Sequence, residues 1–164
     1  SFTVATGSSL GGTNRVGGAE GVTVQTGGTI CGGEYGRGGS LTVDSAFKME
    51  ANAMLKAEIP ADPAAGVGYV KLTNTDPAKT LSLTAPIGVR IDADPAGPYR
   101  GSVKLLDWSG AVFKDGAVPQ LATFVADIPA GSNVRNMYLS IQGSALYAAY
   151  VLDTVPLGSV FIVR

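Results

Sequence analysis

The chain has 164 residues, 45% of them hydrophobic and 15% charged, with a net charge of −1. That hydrophobic share supports a buried core and excludes disorder driven by charge, and the near-neutral balance gives no pull toward nucleic acid or an anionic membrane. Histidine is absent, which removes Ser-His-Asp and Cys-His catalysis and nearly all catalytic zinc sites.

The chain opens on Ser1-Phe2-Thr3-Val4, without the basic start and apolar stretch of a signal peptide. This end is expected to follow either removal of an initiator Met or processing. Residues 1–40 hold 13 of the 23 glycines and no proline. They predict a Gly-rich N-terminal arm preceding a compact domain over 41–164. Within the arm, Thr3-Val4-Ala5-Thr6-Gly7 and Thr23-Val24-Gln25-Thr26-Gly27 match at a spacing of 20, and Leu10 and Ile30 fall at the same spacing. Two copies are too few to establish a solenoid. They predict short β segments at 2–6 and 22–26, joined by Gly-rich turns. Segments this short cannot form a core alone. Phe2, Val4, Leu10, Val22, Val24 and Ile30 are therefore the candidate assembly contacts, pairing with the main domain or with a neighbouring subunit. Cys31 is the single cysteine; no intrachain disulfide can form, and its surroundings suit a small packing residue.

Over 41–59 the amino acids favour helix, but their order does not. Leu41, Val43, Phe47, Met49, Ala51, Ala53, Leu55, Ala57 and Ile59 occupy odd positions, and Thr42, Asp44, Lys48, Glu50, Asn52, Lys56 and Glu58 even ones. Period two predicts strand with one buried face, interrupted near 45–46 or 51–53. Helix over 46–58 is the competing reading. After Pro60 short strands are expected at 69–73, 81–91, 102–108, 111–114, 121–128, 134–142, 145–152 and 158–163, with Pro86 marking an edge or bulge. Turn signals separate them, among them Asn74-Thr75-Asp76-Pro77 and Asp94-Pro95-Ala96-Gly97-Pro98. The pattern predicts an all-β fold, an antiparallel β-sandwich of about eight strands, jelly-roll-like, behind the arm.

Few residues carry chemistry. Asp92 and Asp94 are weak candidates for a metal, with too few oxygens in view for calcium; otherwise no metal or cofactor is expected. Tyr69, Tyr99, Trp108, Tyr138, Tyr147 and Tyr150 could line a sugar-binding face. Most, Trp108 after the apolar Leu105-Leu106 among them, are expected in the core or at an interface; Tyr99 is the ring expected to be exposed, and Tyr99 and Trp108 are weak ligand candidates. Glu50 and Glu58 read as a solvated face and not as a glycosidase pair. The chain is expected to be no enzyme, to span no membrane and to bind no nucleic acid. Its expected role is a structural subunit of a self-assembling particle, a phage-type virion capsid or decoration protein. Its partners would be copies of itself and other particle proteins. An extracellular or cell-surface filament subunit built by donor-strand exchange is one alternative, and a carbohydrate-binding or adhesive module another.

Overall fold

The computed structural model describes residues 1–17, 21–33, 38–76, 78–79, 81–113 and 116–153. Among these residues fifteen strands form three sheets. The first twelve come in four successive coils, each giving one strand to each sheet. Coil one is β1 (Phe2–Val4), β2 (Ser9–Leu10) and β3 (Arg15–Val16). Coil two is β4 (Val22–Val24), β5 (Thr29–Cys31) and β6 (Gly39–Val43). Coil three is β7 (Phe47–Met49), β8 (Met54–Ile59) and β9 (Gly68–Leu72). Coil four is β10 (Leu81–Leu83), β11 (Ile87–Ala93) and β12 (Arg100–Asp107). Every strand pairing between coils is parallel; a lone antiparallel bridge, Gly12–Gly33, joins coils one and two outside the strands. The chain is thus a three-sided parallel β-solenoid. A final part closes it: β13 (Phe124–Ala126) adds in parallel to β11, and the hairpin of β14 (Val134–Gln142) and β15 (Ala145–Leu152) adds to β12 through β15, antiparallel.

The expected antiparallel sandwich is therefore corrected. The strands are abundant, but the first two sheets are wholly parallel and only the third is mixed. Parallel sheets usually have helices on both faces and read as continuous apolar runs. Here tight corners replace helices and the outer face meets solvent, so each strand alternates as an antiparallel one would. The segment 41–59 is strand, not helix. It is β6, β7 and β8, broken at 44–46 and 50–53, and its odd residues stay inward through both corners. The strand expected at 111–114 does not form over 111–113. In 121–128 a 3-10 turn at Leu121–Thr123 precedes β13. The strand expected at 158–163 lies outside the described residues.

Segment 1–40 supplies coil one and most of coil two. The spacing of 20 is one circuit of the solenoid, with Thr3 beside Thr23, Val4 beside Val24 and Leu10 beside Ile30. Inward side chains stack from coil to coil: Phe2, Val22, Phe47 and Leu81 in the first sheet, and Leu10, Ile30, Leu55 and Val89 in the second. Together with Leu41, Val70, Leu106 and Leu146 of the third sheet, most of these belong to one continuous buried core.

The corner between the first two sheets repeats as a ladder. Gly7, Gly27 and Asn52 all take positive φ, at 76°, 72° and 63°. The Gly7 N–H donates to the Gly27 carbonyl, Gly27 to Asn52, and Asn52 to Pro86. The hydroxyls of Thr6 and Thr26 donate to the carbonyls of Thr26 and Ala51. Pro86 occupies the last coil, where the N–H it lacks would have no further coil to reach.

Candidate functional site

Two surfaces stand out. The first is the outward end of coil one. Among the described residues nothing pairs with the free edges of β1, β2 and β3. Phe2 and Val4 bond to β4, since the Phe2 N–H donates to Gly21 and the Val4 carbonyl accepts from Gln25; alternation turns the N–H and C=O of Thr3 to the open side. Phe2 heads the Val22–Phe47–Leu81 stack, yet it is 48% exposed, and Leu10 and Val16 are only partly buried. Among the described residues nothing covers the core at this end. Of the six candidate assembly contacts, Val4, Val22, Val24 and Ile30 are buried within the chain's own core, while Phe2 and Leu10 reach the surface. Of the two pairings expected for this set, Val4, Val22, Val24 and Ile30 take the one with the chain's own body, because their inward parity commits them to packing.

The second surface is the outer face of the third sheet. Register aligns Ser40, Tyr69 and, past the β12 bulge, Lys104, Tyr147 and Ser140 in one row across five strands. Beside it Arg15, Thr42, Lys71 and Asp107 form another. The Lys104 Nζ lies 4.7 Å from the Tyr69 ring centroid and 3.0 Å from Asp107 Oδ2. Asp107 also accepts from the Ser109 N–H at 2.9 Å and its hydroxyl at 2.7 Å. Burial alone would raise the Asp107 carboxyl, but these hydrogen bonds and the Lys104 charge outweigh it and hold the group below the usual aspartate range. The bond from Asp107 correspondingly raises Lys104. Tyr138, diagonal to Tyr147 on the same face, is 67% exposed.

Trp108 is buried, which corrects its candidacy as a ligand residue, and Tyr150 is buried with it. Both follow the inward parity of their strands. Tyr99 is exposed, with the Arg100 guanidinium 5.2 Å from its ring centroid. Lys104 was not legible as the neighbour of Tyr69, because β9 and β12 are far apart in sequence and only the parallel register joins them.

Asp92 and Asp94 do not converge on a cation. Asp92 pairs with Lys56 at 3.3 Å, and the Asp94 Oδ1 accepts from the Ala96 N–H at 2.8 Å, closing a turn. No group of three or more metal-ligating side chains occurs among the described residues. Glu50 and Glu58 pair with Lys48 and Lys56 at 3.0 and 2.8 Å. Cys31 is half-buried, and burial raises its thiol despite the nearby Lys56. Two open clefts line the second sheet. The larger of the two, about 410 Å³, lies between Asp92–Ala93 and the 129–133 loop, and the other, about 370 Å³, is lined by Met54, Pro86, Val125 and the paired Arg90 and Asp127. Among the described residues no helix is long and apolar enough to cross a membrane. The chain matches no known protein-family model, and no curated protein or solved structure is significantly similar to it.

Proposed function

We propose that this chain is a non-enzymatic structural module of a self-assembling particle, a virion shell or its decoration in the first instance. The joint is the outward end of coil one. The observation that carries the reading is the half-exposed Phe2 at the head of an otherwise buried stack, flanked by three parallel strand edges free among the described residues. Free edges recruit further strands, and an uncovered apolar stack gains by being covered. Near-neutral charge weakens the repulsion that keeps copies apart.

A second copy is the occupant proposed for that end. Two copies meeting end to end form a closed pair, whereas head-to-tail stacking continues as a filament. The filament reading thus survives as the open form of the same contact. Donor-strand exchange is not part of it, since residues 2–4 and 22–24 are already paired inside their own sheet.

Sedimentation of the full chain against the double variant Phe2→Lys, Thr3→Pro tests this. Phe2→Lys places charge on the open stack, and Thr3→Pro removes an N–H that faces the free edge. The parent is expected to sediment as assemblies and the variant as a monomer with an unchanged circular dichroism spectrum. Electron microscopy of the parent separates shell from filament. A parent that stays monomeric at every concentration overturns the proposal.

A further inference from the structure

We propose that the outer face of the third sheet is a binding site for an acidic polysaccharide, laid across the strands along the Tyr69–Lys104–Tyr147 row. Three kinds of group converge there. Tyr69 and Tyr147 sit two strands apart, about 10 Å, with Tyr138 projecting beside Tyr147. The rings of Tyr147 and Tyr138 offer flat apolar faces, electron-rich at the centre, on which the C–H faces of sugar rings can lie, and the Tyr69 ring holds the Lys104 ammonium in the row. Ser40, Ser102 and Ser140 share the face and supply hydroxyls. The row from β6 to β14 spans five strands, about 19 Å, so it fits an extended chain of several sugars better than a single one.

Charge selects the ligand. On this face the cations Arg15, Lys71, Arg100 and Lys104 outnumber the carboxylates Asp44 and Asp107. Among the described residues the outer face of the second sheet has the opposite balance, with Lys56 and Arg90 against Glu58, Asp92 and Asp127, and the first carries the Lys48–Glu50 pair. Among the described residues of this chain of net charge −1, the cations that outnumber their carboxylates lie beside the tyrosine row. Lys71 has no ion-pair partner among the described residues and adjoins Asp107 in the register. It is placed to meet a sugar carboxylate. Asp107 is already engaged by Lys104 and Ser109, so it orients the lysine.

Affinity electrophoresis of the full chain through gels containing polygalacturonate, hyaluronan or neutral barley β-glucan tests the site. Retardation is expected in at least one acidic gel, weakened by added salt. Tyr138→Ala and Lys71→Glu each change an outward side chain, and each is expected to weaken it at least about fivefold with an unchanged melting temperature. The Phe2→Lys, Thr3→Pro variant is expected to bind as the parent does, because its changes lie at the other surface. No retardation in either acidic gel overturns the proposal, as does retardation that both Tyr138→Ala and Lys71→Glu leave intact. Equal, salt-insensitive retardation by the β-glucan overturns its acidic part. A Tyr138→Ala variant that alters sedimentation but not retardation makes the face a contact between copies and also overturns it.

Discussion

Single residues decide whether one coil can lie on the next. A Cβ on Gly32 would stand 1.9 Å from the Tyr69 carbonyl oxygen, and one on Gly68 would stand 2.1 Å from the Gly32 oxygen. Both obstacles are backbone, so no side-chain rotation relieves them. Gly32→Ala is expected to destabilise the fold by about 3 kcal/mol or more, read from chemical denaturation, while Gly12→Ala meets no neighbour and suffers only its positive φ. Asp107 makes a separate prediction. Its carboxyl is held below its ordinary range in the folded chain, so the charged form stabilises the native state. That stabilisation is fully present above the unfolded value near pH 4 and is lost as pH falls through the lower folded value. Asp107→Asn is expected to cost about 1–2 kcal/mol at pH 7, and its melting temperature should converge on the parent's below pH 4. At Cys31, burial raises the thiol. Its native-state reaction with a thiol reagent at pH 7 is expected to be slower than that of free cysteine, and to match it after unfolding in urea.

At the scale of elements, strand identity was written in the sequence and strand direction was not. Alternation at 41–59 fixed which residues face inward, and Val134–Gln142 and Ala145–Leu152 form over the expected spans. Alternation reports only that one face is buried. It is blind to whether the neighbour runs parallel or antiparallel, and the open outer face of the solenoid removed the continuous apolar run that marks ordinary parallel strands. The repeat was equally hard to see beyond its second copy. Phe2 pairs with Val22 at an offset of 20, but Val22 meets Phe47 at 25 and Phe47 meets Leu81 at 34. The longer corner at 60–67 carries Asp and Pro, so it resembles a hairpin turn. The tyrosine face was scarcely legible: Tyr69, Tyr138 and Tyr147 were named as rings but expected in the core or at an interface, and Lys71, Lys104 and Asp107 joined them only through the register. Because stacking and not sequence neighbourhood holds each strand, the middle of a stack should matter most. Leu55, fully buried between Ile30 and Val89, is expected to cost about 2–5 kcal/mol as Leu55→Ala. Half-covered Leu10 at the end of the same stack should cost less in the matching variant, by the same denaturation measurement.

The whole molecule follows from a core that is assembled one layer at a time. In such a fold each repeat contacts only its neighbours, and an end layer protects the one beneath it. An arm lying outside the globule could be removed without loss of the body. The Gly-rich first 40 residues are instead coil one and most of coil two, and Val22, Val24 and Ile30 lie directly on Phe47, Met49 and Leu55. Deleting residues 1–40 would bare the inward faces of β7, β8 and β9, including three of the largest fully buried side chains, Phe47, Met49 and Leu55. The deleted chain is expected to lose its cooperative melting transition and to aggregate. Deleting only residues 1–17 removes coil one alone, and should leave a cooperative but less stable solenoid that exposes Val22 and Val24 at its new end. Calorimetry of the two truncations decides the matter. A 1–40 deletion that melts as the parent does would mean that the first two coils contribute nothing to the core, and the layered account of this fold would fail with it.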